Sequence, residues 1–129
     1  MDQLIALMLK MQQTPKTYHS SLPEINALIE EGTDSQTNPS RLAEILQELS
    51  GWYSFLSDHY DATEKQYNQE WLVVRERVSS VAQADREMDM RTIGTERKQI
   101  KHKLTAIDKV MSSIRTRIRM KSEEARNIF

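Results

Sequence analysis

The sequence predicts an all-α fold: two short N-terminal helices, then a long antiparallel helical hairpin, coiled-coil-like and oligomeric. Three observations carry this reading. The three prolines, Pro15, Pro23 and Pro39, lie in the first third of the 129 residues, and after Pro39 the strong helix breakers are Gly51 and Gly94 alone. Over the rest of the chain, apolar residues recur at spacings of four and three, the period of a helix face packed on a partner. Charged residues make up 29% of the chain against 38% hydrophobic, and the mean hydropathy is −0.66, which suits long helices with wet outer faces better than a thick core.

In chain order, the first helix is expected from Asp2 to about Gln13, capped by Asp2, with Leu4, Ile5, Met8 and Met11 on one face. A connector around Pro15 follows, over Thr14–Ser20. The second helix is expected from about Leu22 to Glu31, with Ser21 as N-cap, Pro23 in its first turn and Gly32 at the C′ position. After the polar loop GTDSQTN, Asn38 caps and Pro39 opens a third helix. Residues 1–38 and 39–129 are thus read as two units.

From Pro39 the seam runs Leu42, Leu46, Leu49, Tyr53, Leu56 and Tyr60. Its phase slips over the eleven residues from Leu56 to Tyr67, and it continues at Tyr67, Trp71, Val74, Val78 and Val81. The later half is more regular: Ile93, Arg97, Ile100, Leu104, Ile107, Met111, Ile114, Ile118, Lys121, Ala125 and Ile128. The weakest helical stretch is SSVAQAD, residues 79–85, where Asp85 can cap a new helix, and Gly94 is a competing break. A turn near 83–84 gives arms of 39–82 and 85–127, each about 65 Å long at about 1.5 Å per residue. Residue i then faces 167 − i. One stripe per helix is thin for stability. Trp52, Phe55 and Leu72 lie off the seam and need cover, from the first two helices or from other copies, so a homo-oligomer is expected.

The net charge of −1 conceals an asymmetry. Residues 1–38 carry five acids and two bases, residues 39–84 seven and four, and residues 85–129 seven and twelve. Residues 97–121 concentrate nine Lys and Arg with one acid, Asp108. Two readings of this segment stay open. In one, the hairpin neutralises it internally: it lies beside Glu48, Asp58, Asp61, Glu64 and Glu70, and Lys101, Lys103, Arg115 and Arg117 flank the seam where interhelical ion pairs form. In the other, a surplus stripe meets the phosphates of single-stranded nucleic acid with little sequence preference. In that reading the candidate phosphate contacts are Lys98, Lys101, Lys103, Lys109, Arg115, Arg117 and Arg119, of which Lys98, Lys109 and Arg119 are expected on the outer face. The aromatics lie on the third helix rather than among the bases, so they read as core or interface rather than as stacking platforms.

Enzymatic chemistry is not expected. His19, His59 and His102 are isolated, no metal-ligand spacing occurs, and the acids Asp85, Glu87 and Asp89 alternate around a helix. There is no glycine-rich phosphate loop and no nucleophile elbow, and no cofactor or metal is expected. The absence of cysteine favours an intracellular, cytoplasmic protein. The N-terminus lacks a basic n-region and a small-residue cleavage site, and no 18-residue apolar run exists to span a membrane.

Two stretches resemble the UvsY family of recombination mediators from T4-like bacteriophages. LSGWYSFLSDHYDATEKQYNQEW followed by VVRERV is an aromatic-rich helix leading into arginines, and IDKVMSSIRTRIRMKSEEARNIF ends in Phe129 after the Arg-containing SIRTRIR. Together the likeness spans about residues 42–129. It implies a wholly helical ring oligomer that binds single-stranded DNA and helps a recombinase displace the single-strand-binding protein, acting in the host cytoplasm. Basic residues after the aromatic helix are implicated in DNA binding in that family, which by position points to Arg75 and Arg77. Where the family tends to carry a longer Lys/Arg-rich, Tyr-containing segment, this chain has RER. The competing expectations are a coiled-coil virion or scaffold subunit, and an adaptor or inhibitor that presents its helical face to a protein partner.

Overall fold

The computed structural model describes residues 18–128; the expected helix at 2–13 lies outside them. The described residues form four helices and no strands: α1 (Tyr18–Thr33), α2 (Pro39–Arg77), α3 (Val81–Met90) and α4 (Thr92–Ile128). The chain is therefore all-helical over this range, as its proline and glycine distribution predicts.

Helix α1 differs from its expectation at both ends. Ser21 does not cap it; the helix includes Tyr18–Ser20, and Ser21 lies inside it, buried. The reason is a continuous buried stripe, Tyr18, Ser21, Ile25, Leu28 and Gly32, spaced three and four apart, so packing carries the helix past Pro23 in both directions. Gly32 is not a left-handed C′ residue, because no described residue has positive φ. It is a close-approach glycine. A Cβ there would meet Ile114 Cδ1 at 3.0 Å, Val110 Cγ1 at 3.1 Å and Ile45 Cγ2 at 3.3 Å.

Helix α2 starts as expected. The Asn38 side chain accepts from the Arg41 backbone N–H at 2.8 Å, and Pro39 occupies the first position, where a missing N–H costs nothing. Arg41 ties this end to α1. Its Nε and Nη2 donate to the two Glu31 carboxylate oxygens at 2.6 and 2.8 Å, and Nη1 reaches Glu44 at 3.1 Å. The Arg41 hydrogen bond holds the Glu31 carboxyl below its ordinary 4.5. A carboxylate lowered on folding contributes stability above its unfolded value and loses it as pH falls through the folded one. Acidification below about pH 4.5 should therefore loosen α1 from α2. Thermal melts of wild type and Arg41→Met from pH 7 to 3 should converge at the acid end; a constant gap would exclude this tie as the cause.

The turn falls earlier than expected. Helix α2 ends at Arg77, Val78 is extended with its N–H still bonded to the Val74 carbonyl, and Ser80, not Asp85, caps α3 by accepting from the Gln83 N–H. A hydroxyl one residue before Val81 competes well for that role. Asp85 instead accepts a 2.9 Å hydrogen bond from Trp71 Nε1. The second expected break is used too. Arg91 is extended between α3 and α4, and Gly94 packs so close to the end of α3 that a Cβ would lie 2.0 Å from the Met88 carbonyl oxygen. The earlier turn shifts the register: Ser50 meets Met111, Glu64 meets Arg97 and Glu70 meets Arg91, so residue i faces about 161 − i rather than 167 − i.

Helix α1 lies across the far half of the α2–α4 pair. Asn26 meets Lys103, while Gly32 sits against Val110, Ile114 and Ile45, so α1 runs alongside α4 in the same direction. The three helices share one hydrophobic cluster built on Ile25, Leu42, Ile45, Leu49, Leu56, Ile100, Ile107 and Ile114. A second cluster, Val74, Ala84, Met88 and Ile93, fills the elbow where α3 folds back on α2. A polar belt separates them: Thr63, the His59–Glu96 contact at 3.2 Å, and the Glu64–Arg97 pair. Val81, placed in the seam by its spacing, is 52% exposed because the chain has already turned. Lys121 and Ala125 are exposed as well: in this register Lys121 meets only the first turn of α2, and Ala125 lies beyond its start.

Candidate nucleic-acid interface

Helix α4 carries most of the bases, and the structure divides them into those engaged by the fold and those that are not. Arg97 is half-buried: it pairs with Glu64 at 3.2 Å and its guanidinium lies 4.7 Å from the Tyr67 ring centroid. Burial works against its charge, and Glu64 with the nearby Tyr60 and Tyr67 outweighs it, leaving its pKa raised. Lys98, expected on an outer face, is exposed but pairs with Asp89 of α3 at 3.0 Å. Lys103 donates to Asn26 Oδ1 of α1 at 2.7 Å.

Arg117 has a distinct task. Its Nη1 donates to the Gly32 carbonyl at 2.9 Å and its Nη2 to the Asp34 carbonyl at 3.0 Å, both at the C-terminal end of α1. The last carbonyls of a helix have no intrahelical donors, and a cation there also meets the negative end of the helix dipole. Arg117→Met keeps the apolar stem but removes both donors. It should cost about 1–2 kcal/mol in urea-monitored unfolding and hardly change affinity for a polyanion. A large affinity loss at unchanged stability would return Arg117 to the binding stripe.

The positions implied by the family resemblance sit at the elbow. Arg75 Nη1 donates to the Val78 carbonyl at 3.2 Å, and Arg77 lies 3.6 Å from Glu87. They steady the turn, and they stand apart from the bases of the α4 C-terminal half. The acids Asp85, Glu87 and Asp89 are likewise tied to separate partners, Asp85 to Trp71, Glu87 to Arg77 and Arg91, and Asp89 to Lys98. Among the described residues, no group of three His, Cys, Asp or Glu side chains is placed to hold a metal ion, and no helix is long and apolar enough to cross a membrane.

Lys101, Lys109, Arg115 and Arg119 remain, all exposed and without an ion-pair or hydrogen-bond partner among the described residues. The interhelical ladder expected for Lys101 and Arg115 does not form: neither pairs with a carboxylate of α2. Lys101, Arg115 and Arg119 follow spacings of fourteen and four, which places them on one line of α4. Arg126 lies outside the dense segment that ends at Lys121, so charge density alone does not single it out; it extends that line by a further seven residues. From Lys101 to Arg126 it runs about 37 Å at about 1.5 Å per residue. Asp108 interrupts it. Lys109 lies about a quarter-turn away, and Lys121, two residues beyond Arg119, points to the other flank.

At the end of this line is a hollow of about 520 Å³, lined by Leu46 of α2 and by Arg115, Ile118, Arg119, Ser122, Glu123 and Arg126 of α4. It opens on the flank of the α2–α4 pair away from α1, whose own contacts fall on Ile45, Val110 and Arg117. Compared with known families, curated proteins and solved structures, the chain matches none of them.

Proposed function

We propose that this is a non-enzymatic helical accessory protein that binds single-stranded DNA through its phosphates and assists recombination or repair in the manner of a recombination mediator. In this reading α2 and the α3–α4 arm act as a coiled-coil-like hairpin within a homo-oligomer, and a recombinase is the natural protein partner. One observation carries it: Lys101, Arg115, Arg119 and Arg126 form an exposed line with no acidic partner among the described residues, while Arg97, Lys98, Lys103 and Arg117 are engaged by the fold. Unpaired cations in a row match a flexible polyanion. Each phosphate contact releases a counterion, so affinity should fall log-linearly with salt.

The test is fluorescence anisotropy of labelled oligo-dT titrated with the full chain at low and near-physiological salt. Binding with a steep salt slope supports the proposal. No binding at low salt removes it.

A second reading, a coiled-coil assembly subunit, is favoured by large apolar side chains left in solvent, with Leu72 60%, Val73 59% and Met90 87% exposed. Assembly through such residues should persist in high salt, whereas phosphate contacts should not.

A further inference from the structure

Resting on the phosphate-binding reading, we propose that the hollow at the end of the α4 line is a seat for one unpaired nucleobase, whose neighbouring phosphates pair with Arg115, Arg119 and Arg126. The floor is apolar, made by Leu46 and Ile118, both half-buried against the main hydrophobic cluster. The rim is cationic, with three arginines that have no acidic partner among the described residues. Glu123 is the one acid on the rim; its carboxylate is an acceptor that a phosphate cannot use and a base N–H can.

The chemistry narrows the occupant. A metabolite site encloses most of its ligand's surface, and this hollow, though of ligand size, is open to solvent. It offers flat apolar contact in the middle and positive charge around the edge. The matching ligand is an anionic chain that carries flat groups between its charges. Guanidinium planes stack on the faces of unpaired bases, and a paired base in a duplex cannot reach such a floor. From Arg115 to Arg126 is about 16 Å, the length of a few nucleotides. The hollow thus supplies what the aromatic residues of α2 do not, a stacking surface beside the cations.

The test compares oligo-dT with an equally long chain of abasic tetrahydrofuran phosphates, at one salt concentration, on the full chain. The two carry the same charge and differ only in their bases. Oligo-dT should bind roughly tenfold more tightly. Ser122 is exposed on the hollow wall, so Ser122→Leu fills the space without replacing an arginine. This variant should keep its helicity and its affinity for the abasic chain, and should lose the preference for oligo-dT. Equal affinity of wild type for both chains would overturn the seat while leaving the phosphate line standing. Failure to bind either chain at low salt would overturn the phosphate reading and the seat with it. An acidic peptide of alternating Glu and Leu that displaces oligo-dT from wild type and not from Ser122→Leu would assign the hollow to a protein partner and overturn the proposal.

Discussion

Replacing Gly94 with alanine should cost on the order of 3 kcal/mol, far more than a methyl group on an ordinary helix. The added Cβ would lie 2.0 Å from the Met88 carbonyl oxygen and 2.9 Å from its carbon. Both are backbone atoms, so no rotamer change relieves the clash; α3 must move away from α4. That motion opens the cluster of Val74, Ala84, Met88 and Ile93 and strains the Glu70–Arg91 and Asp89–Lys98 pairs. The other glycines supply the controls. Gly51 has nothing within 4 Å of its added Cβ and is exposed in mid-helix, so Gly51→Ala should stabilise by about 0.5–1 kcal/mol. Gly32 faces side-chain methyls of Ile114, Val110 and Ile45 rather than backbone, and Gly32→Ala should fall between the two. Urea denaturation of the three variants gives the order directly; a Gly94→Ala variant as stable as wild type would mean that α3 and α4 do not meet at this distance.

Neutralising Lys101, Arg115 and Arg119 together, each to glutamine, should weaken oligo-dT binding on the order of 10²-fold and lower the log–log salt slope by about 2. All three are exposed and make no hydrogen bond or ion pair among the described residues, so far-UV circular dichroism and the melting midpoint should hardly change. The informative comparison removes the same charge elsewhere. Lys65, Lys98 and Lys121 are also exposed but lie off the line, and their triple glutamine variant should retain most of the affinity. Equal losses in the two variants would mean that net charge, not alignment, governs binding, and the interface would lose its definition.

The parts of this fold legible in the sequence are those set by short-range rules. Asn38 and Pro39 start α2 because a cap and a fixed φ act within one turn. The seam residues Leu42, Leu49 and Leu56, with Ile93, Ile100, Ile107, Met111 and Ile114, are buried because a three–four spacing needs only one partner helix to be satisfied. What was not legible depends on a third body. Ile45 sits off the seam yet is fully buried, since α1 packs over it at Gly32. Gly32 has the same signature whether it ends a helix or admits another one, and only the packing decides.

The binding line was legible in part for the same reason. Residue type and density single out the basic segment, but they cannot say which bases are engaged. A turn moved from 83–84 to Val78–Ser80 changes every facing pair, and Lys101 and Arg115, expected beside the acids of α2, pair with none of them. Arg117 and Lys103 are lost to α1, an element whose placement no periodicity in α4 announces. Arg126 needed only the helical period carried one step further.

The polar belt between the two hydrophobic clusters has a consequence for how this molecule breathes. Thr63, His59, Glu96, Glu64 and Arg97 give the middle of the pair little apolar cohesion, and Arg97 Nε is buried with no hydrogen-bond partner among the described residues. The elbow beyond them rests on four buried side chains, whereas the far half is knit by three helices. Amide protons of α3 and the last turns of α2 should therefore exchange through sub-global opening, at a lower free energy than those near Ile107. A single uninterrupted helix can in this way belong to two cooperative units, one that melts early and one that lasts until the whole chain unfolds.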